Sequence, residues 1–199
     1  MTVDVNVTRT DEEMLDDLDE IMEDTMVQLF VLQPRDAEAL ERAKEAAEEH
    51  GALFYCAPLS LMEEADGNCV ACYLDDPEAL GELPEGKPLF VDASALDDSL
   101  VETLIENNCR GIILGADDTF DALETFYVAV GPGNVGNFDT ERLARLPMDR
   151  IVLQSGYPDF GFDAIYTTAK RISDAMFRPE QSIIARATQS SLRLFGFKK

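Results

Sequence analysis

The chain has 199 residues, enough for one large domain or two small ones with a substantial core. Its residues are 46% hydrophobic and 28% charged, which excludes wholesale disorder. The formal net charge of -24 repels phosphate backbones, so nucleic acid is a disfavoured partner. The sequence contains no apolar run of membrane-spanning length and no basic signal segment, so we expect a cytoplasmic protein and no membrane contact.

Residues 1–25 predict an acidic N-terminal segment, because they include ten acidic side chains and one arginine. The apolar residues of this segment are spaced to line one side of a short helix, namely Met14, Leu15, Leu18, Ile21 and Met22. Two interpretations remain open: a solvated helix that packs on the domain, which we favour, or a mobile acidic arm that binds a basic partner. Residues 26–199 are predicted to form a single domain.

Apolar runs alternate with helical patterns along this domain. The runs that predict strands are MVQLFVLQP, ALFYCAPL, CVACYL, KPLFVDAS, RGIILGA, YVAVG and RIVLQSG. Helices are expected at 36–50, 77–83, 97–107, near 120, and at 140–146, 163–176 and 179–194. Apolar strands separated by helices, without hairpin signals, indicate parallel pairing with right-handed crossovers. The predicted fold is an α/β sheet or barrel.

Two short motifs invite a functional interpretation. Cys69 and Cys72 have the two-residue gap of zinc and redox motifs, but they lie in a predicted strand and no second pair completes a site, so buried free thiols are expected. GPGNVG matches the glycine spacing of dinucleotide-binding loops at Gly131, Gly133 and Gly136. A flexible turn is the favoured interpretation, with a weak anion-binding loop as the alternative.

The C-terminal third resembles a known family. LPMDRIVLQSGYPDFGF, with Pro147, Asp149, Arg150 and Pro158, is similar to the last strand of the TatD-like metal-dependent hydrolases, and LRLFGF is similar to the end of their final helix. The resemblance extends more weakly over KPLFVDAS, RGIILGA and YVAVG. It implies a parallel (β/α) TIM-barrel-like fold, which could be incomplete in so short a chain, and a metal-dependent hydrolase ancestry.

The residues that the resemblance assigns to metal binding are largely replaced. The family's Glu-Thr-Asp corresponds to Gln154, Ser155 and Gly156, and Asp92 or its neighbour stands where a histidine is expected. Leu114 or Gly115 takes another histidine position, and LFVLQPRD contains no counterpart of the paired histidines after the first strand. A two-metal hydrolytic site of the family type is therefore not expected.

Other potential ligands are few. His50, the chain's single histidine, follows a helical run and is interpreted as a structural residue at a helix end. Carboxylates at or after predicted strand ends could instead hold Mg²⁺ or another divalent metal, the candidates being Asp75, Asp92, Asp117 and Asp159. Solvated turns are the favoured interpretation of these acids, so no cofactor is expected.

These observations predict a TatD-like hydrolase fold that has lost its metal site and serves as a non-catalytic binding or regulatory protein, a pseudoenzyme. Its partner would be a small molecule or protein held by strand-end loops, in a candidate pocket formed by Asp92, Asp117, Gln154, Ser155, Tyr157 and Asp159. The alternative is a hydrolase of phosphodiester or amide bonds with a carboxylate-based metal site. A homo-oligomer also remains open.

Overall fold

The strands and helices of the computed structural model alternate along the chain. The structure describes residues 2–8, 12–76, 79, 86–107, 109–114 and 126–197. The strands are β1 (Thr2–Val7), β2 (Val27–Leu32), β3 (Leu53–Pro58), β4 (Cys69–Tyr73), β5 (Leu89–Asp92), β6 (Gly111–Leu114), β7 (Tyr127–Val130) and β8 (Ile151–Leu153). The α-helices are α1 (Glu12–Asp16), α2 (Leu18–Thr25), α3 (Ala37–Glu49), α4 (Asp98–Glu106), α5 (Pro132–Val135), α6 (Thr140–Arg145), α7 (Ala164–Met176) and α8 (Glu180–Phe195).

All strand pairs are parallel, and the strands follow one another in the sheet from β1 to β8 in chain order. The two outer strands also meet, because Val7 forms a parallel bridge with Tyr157, just beyond β8. The predicted parallel barrel-like fold is confirmed. Its helical layer is incomplete among the described residues, since β3 is followed by a 3-10 helix at Leu59–Glu64 in place of an α-helix.

The predicted helices are found close to their expected positions at 36–50, 97–107, 140–146, 163–176 and 179–194. Aspartate side chains begin three of them. Asp36 accepts a hydrogen bond from the Ala39 N–H at 2.8 Å, and Asp97 and Asp139 act in the same way at the starts of α4 and α6. The helices predicted at 77–83 and near 120 lie almost entirely outside the described residues.

The first strand of the barrel was not predicted. Thr2–Val7 forms β1 and pairs with β2, so the segment 1–25 contains part of the sheet together with the two short helices α1 and α2. Asp4 and Asn6 interrupt the apolar pattern of this strand, whereas most of the other strands are almost continuously apolar. The comparison of LFVLQPRD with the family's first strand was therefore wrong, because that run is β2; β1 itself also contains no histidine.

The seam between β1 and β8 is held by polar groups. Asp4 is completely buried, and its Oδ1 accepts a hydrogen bond from the Ser155 N–H at 3.0 Å. The Thr8 N–H and Thr8 Oγ1 both donate to the Tyr157 carbonyl, at 3.1 and 2.9 Å. These bonds join the beginning of the chain to residues about 150 positions away. They close the barrel where a single described bridge, between Val7 and Tyr157, joins β1 to the residues after β8.

Two apolar clusters lie on the two sides of the sheet. The larger one packs strand residues against the helices and includes Phe30, Leu40, Leu53, Val128 and Ile165. The smaller one collects alternate residues of the strands, as expected for a barrel interior, and consists of Val3, Val5, Val31, Cys56, Ala71, Tyr73, Phe90, Ala129 and Val152, with Leu192 and Leu194 of α8.

The end of α8 closes the barrel at the amino ends of the strands. The Phe195 ring stacks on Phe90 with centroids 6.2 Å apart, and Phe197 lies against Phe54 with centroids 4.5 Å apart. Helix α8 also contacts both β1 and β8, so it supports the seam from outside. Because this end is filled by aromatic side chains, the opposite end, where the strands have their carboxyl termini, is the open mouth of the barrel.

We predict that Asp4→Ala weakens the seam, because it leaves the buried Ser155 N–H without its acceptor. The free energy of unfolding should fall by about 2–3 kcal/mol, measured by urea denaturation. Asp4→Asn is the matched control: it keeps an oxygen at Oδ1 and should lose clearly less. Equal stability of Asp4→Ala and the unmodified protein would contradict the seam's importance.

Candidate functional site

The mouth of the barrel is formed by the residues that follow the strands. In a parallel barrel the carboxyl ends of all strands meet at one end, so these side chains surround a common space. The described residues at these positions include Thr8 after β1, Gln33 after β2, Asp75 after β4, Gly131 after β7 and Gln154 after β8. Asp92 is the last residue of β5.

Asp92 uses its carboxylate to organise the chain that follows it. Its Oδ1 accepts hydrogen bonds from the Ser94 N–H at 2.9 Å and from the Ser94 hydroxyl at 2.6 Å. These bonds cap the 3-10 turn at Ala93–Ala95. The side chain is exposed, and it belongs to the strand that lies three places from β8 in the sheet. Asp92 therefore reaches the mouth from a different side than Gln154 and Ser155.

Gln154 and Ser155 are both buried at the end of β8. The Gln154 side chain packs against Gly131: a Cβ built on Gly131 would lie 2.6 Å from both Gln154 Cγ and the Gln154 carbonyl oxygen. Ser155 Oγ accepts a hydrogen bond from the Tyr157 N–H at 3.1 Å, while the Ser155 N–H donates to Asp4. The polar groups of Ser155 are thus engaged in local structure and in the seam.

The other predicted pocket residues have different surroundings. The Tyr157 ring stacks on Phe162 at a centroid distance of 4.5 Å, and its carbonyl accepts the bonds from Thr8. Asp159 is exposed in the turn after Tyr157, with its N–H bonded to the Gly156 carbonyl. Asp117 lies outside the described residues. The structure brings Gln154, Ser155 and Tyr157 together, whereas the pocket as a whole stays a prediction.

The glycine-rich run GPGNVG forms a tight turn around Asn134. The buried Asn134 side chain accepts a hydrogen bond from the Gly131 N–H at 2.8 Å and donates to the Ala129 carbonyl at 2.9 Å. The N–H groups of Asn134 and Val135 bond to the Gly131 carbonyl, and the N–H of Gly136 bonds to the Asn134 carbonyl. These N–H groups are engaged within the turn itself; anion binding by Gly131, Gly133 and Gly136 stays a prediction.

The residues of the mouth do not fit the metal site that the family resemblance implies. Within the described ranges, no group of three or more histidine, cysteine or acidic side chains is placed to hold a metal ion. Asp75 is bonded to the Ser60 hydroxyl and, at 3.1 Å, to the Ser60 N–H. His50 ends α3 and precedes β3, so it lies at the opposite end of the barrel, as its interpretation as a helix-end residue requires.

The environment of Asp75 affects its protonation. Partial burial acts to raise the pKa of this carboxyl, but the hydrogen bonds from the Ser60 hydroxyl and the nearby backbone N–H groups outweigh it, and the pKa is lowered from its ordinary value. Asp75 is therefore an anion that accepts bonds from the protein itself at neutral pH. A carboxylate in this state stabilises the segment between β3 and β4 that contains Ser60. Among the described residues, it belongs to no cluster of potential metal ligands.

Two residues of the mouth were missed by the sequence analysis. Thr8 follows a strand that the acidic composition of the N-terminal segment concealed. Gln33 stands in the run QPRD, which is typical of a solvated turn, yet only 1% of it is exposed. Within the part of the chain that the structure describes, neither side-chain amide atom has a hydrogen-bond partner. Gln33 also lines a cavity of about 200 Å³ beside the ends of β1 and β2. No sequence signal distinguishes such a glutamine from an exposed one.

The four cysteines are free thiols. Cys69 and Cys72 are buried with the residues that face the helices, where Sγ of Cys69 bonds to the Ala71 carbonyl at 3.1 Å and Sγ of Cys72 to the Pro88 carbonyl at 3.5 Å. Residues three apart in a regular strand point to opposite faces, but a register irregularity in the β3–β4 pairing leaves both cysteines in the cluster that faces the helices. Their surroundings are those of structural thiols.

We predict that Gly131→Ala disturbs the mouth, because its Cβ would overlap Gln154. The free energy of unfolding should fall by about 2 kcal/mol, measured by chemical denaturation. Gly136→Ala is the matched control in the same turn: its Cβ would meet nothing within 4 Å, and its backbone is right-handed helical. It should leave stability unchanged or raise it slightly. Equal effects of both substitutions would contradict the close approach of Gln154.

We also predict that Cys109 is the thiol that reacts with a disulfide reagent in the native protein at pH 8. Burial raises the pKa of Cys72 to about 12 and holds that of Cys56 well above its ordinary value, so neither forms appreciable thiolate. Burial also raises the pKa of Cys109, but this side chain is only partly buried and remains accessible. Fast native labelling should disappear in Cys109→Ser; labelling of Cys72 before unfolding would be inconsistent with the structure.

The fold of this chain is found in proteins of known structure. No protein-family model and no curated protein matches the sequence significantly. The structure is similar to YJJV, a TatD homolog from Escherichia coli K12, with a TM-score of 0.77, 15% identity and coverage of 99% of this chain and 98% of that one. It is also similar to a TatD-family hydrolase from Entamoeba histolytica, with a TM-score of 0.70, 11% identity and 97% coverage of both chains.

A third similar structure is an uncharacterized amidohydrolase from Saccharomyces cerevisiae, with a TM-score of 0.71, 9% identity and coverage of 97% of this chain and 99% of that one. Identities this low establish the fold and leave the reaction open. None of the helices in the described part of the chain combines the length and apolar character needed to cross a bilayer. The chain has the fold of the TatD-family hydrolases, as its C-terminal resemblance implied, without a described cluster of metal ligands.

Proposed function

We propose that this protein is a non-catalytic binding or regulatory protein that uses a TatD-like barrel as a scaffold. The mouth of the barrel would hold a small molecule or a protein segment between the strand-end loops. Metal-dependent hydrolysis needs several imidazole or carboxylate donors that converge on the metal. The proposal rests on the observation that the carboxylates of Asp75 and Asp92, at the ends of β4 and β5, are bonded to the protein itself.

Three side chains illustrate this observation. Asp92 is bonded to Ser94, Asp75 to Ser60, and Asp4 to the backbone of Ser155. A carboxylate that already accepts hydrogen bonds from the protein must give them up or share its oxygens to bind a cation, which weakens the site. In this barrel, the carboxylates of Asp75 and Asp92 stabilise turns at strand ends, and that of Asp4 stabilises the seam.

The charge of the chain is consistent with a small molecule or a protein segment as the partner. A formal net charge of -24 disfavours polyanionic partners such as nucleic acids and favours neutral, zwitterionic or basic ones. A cytoplasmic location belongs to the same proposal: four thiols without disulfide partners suit a reducing compartment.

We predict that the purified protein binds substoichiometric metal after incubation with Mg²⁺, Mn²⁺ or Zn²⁺ and hydrolyses neither phosphodiester nor amide substrates. Metal content should be measured by mass spectrometry after desalting, because a carboxylate site too weak to retain an ion cannot activate water at neutral pH. Asp92→Asn is the informative variant, and Asp174→Asn is a control with an exposed carboxylate on α7.

The opposite result would favour the alternative function. Stoichiometric metal together with turnover that Asp92→Asn abolishes and Asp174→Asn preserves would identify a hydrolase with a carboxylate-based metal site. Turnover that survives Asp92→Asn would place the reaction elsewhere in the protein, and it would also overturn the non-catalytic proposal.

A further inference from the structure

Gln33 has an environment that the fold alone does not explain. Its backbone N–H donates to the Val7 carbonyl at 2.8 Å, which fixes the residue at the β1–β2 edge of the mouth. Its side chain is buried, yet neither Oε1 nor Nε2 has a hydrogen-bond partner among the described residues. A buried amide in this state lowers the stability of a protein, because both groups have lost water without gaining a replacement. A bound molecule with one donor and one acceptor would satisfy both once the side chain turns toward it, since neither atom is exposed in the free protein.

A cavity of about 200 Å³ lies at this position. Gln33 lines it together with the polar residues Thr8, Arg35, Asp36 and Arg42. Pockets for drug-sized ligands have volumes of roughly 300–1,000 Å³, so this one suits a smaller molecule. It lies between the ends of β1 and β2 and the first turns of α3, and Asp92 and Gln154 are not among its lining residues.

The charged groups of the cavity include both signs. The Arg35 guanidinium lies 5.2 Å from the centre of the Tyr73 ring, and the described carboxylates form no ion pair with it. Arg42 is paired with Glu38 at 2.6 Å. Asp36 caps α3 through Oδ1, so its carboxylate stands at the start of a 13-residue helix. Among the described residues, Arg35 is thus a cation of the cavity that has no carboxylate partner.

We propose that this cavity binds a small amino-acid-like zwitterion. The ligand carboxylate would be held by the planar fork of Arg35 and by Nε2–H of Gln33, since arginine suits bidentate carboxylate recognition. The ligand ammonium would donate to Oε1 of Gln33 and to the carboxylate of Asp36. A free anion would meet the repulsive field of a chain with net charge -24, whereas a zwitterion carries no net charge into it.

The inference rests on the proposed function and deepens it, because the cavity lies at the β1–β2 edge of the same mouth and the ligand class is now named. The test uses the full chain and a panel of probes: the twenty protein amino acids, lactate, acetate and inorganic phosphate. We expect at least one amino acid to raise the Tm by about 2 °C or more at saturation, and calorimetric titration should give one site per chain. Lactate, acetate and phosphate should bind at least about tenfold more weakly.

Variants distinguish this site from others. Gln33→Leu removes the unpaired amide, so it should raise the Tm of the free protein and weaken amino-acid binding by about tenfold or more. Arg35→Met keeps the aliphatic stem of an exposed residue, so it tests binding without endangering the core and should weaken it similarly. Arg178→Met removes the same charge from an exposed residue just after the end of α7, at the amino end of the barrel, and should change affinity less than about twofold.

Three results would overturn the proposal. Binding of phosphate or acetate without any amino acid would show a simple anion site. Amino-acid binding that both Gln33→Leu and Arg35→Met retain would place the ligand elsewhere. No response to any probe, with a stabilised Gln33→Leu, would show that the buried amide is only a local defect of packing. None of these results depends on metal content or hydrolysis, so they are separate from a failure of the proposed function.

Discussion

The structure depends on the closure of a parallel sheet through a seam of polar contacts. The edge strands of an open sheet expose unpaired backbone groups, and closing the sheet into a barrel removes both edges. Here β8 has only three residues, and in place of a regular ladder with β1 a single described bridge joins Val7 to Tyr157. The buried Asp4 carboxylate and the two Thr8 donors replace part of that ladder by bonding to the backbone at Ser155 and Tyr157.

This closure has a direct consequence for chemistry at the mouth. The polar groups that occupy the strand ends are also the groups that hold the strand ends in place: Asp4 and Thr8 at the seam, Asn134 in the turn after β7, and Asp92 after β5. A site that binds a catalytic metal needs donors directed at the ion, whereas these donors and acceptors are directed at the protein. Gln33 is the contrasting case, since its buried amide has no partner in the described ranges of the chain.

The sequence predicts most of the architecture, because buried parallel strands leave a signal that is easy to see. Runs such as LFVD and YVAV are apolar on both faces, and aspartates before α3, α4 and α6 mark the helix starts. The resemblance of the C-terminal third then selects a barrel over an open sheet. The missed strand β1 has the opposite character: two polar residues inside it and an acidic stretch after it conceal its pairing.

The site is harder to predict than the fold for a physical reason. Whether a polar side chain near a strand end is solvated, bonded to the protein or left for a ligand depends on neighbours that are distant in sequence. Ser155 is recognisable as a strand-end residue, but its partner Asp4 is 151 positions away. In the sequence, Gln33 cannot be distinguished from an exposed glutamine of a turn, because its burial depends on β1, which lies beside it only in the folded protein.

Amide hydrogen exchange at the seam tests the central claim most directly. If polar closure holds the barrel together, the Ser155 and Thr8 amides should exchange only when the whole protein unfolds, at rates within about tenfold of the Val128 amide in the barrel wall. Exchange of these two amides that is several orders of magnitude faster, while Val128 remains protected, would show an open seam and contradict this account.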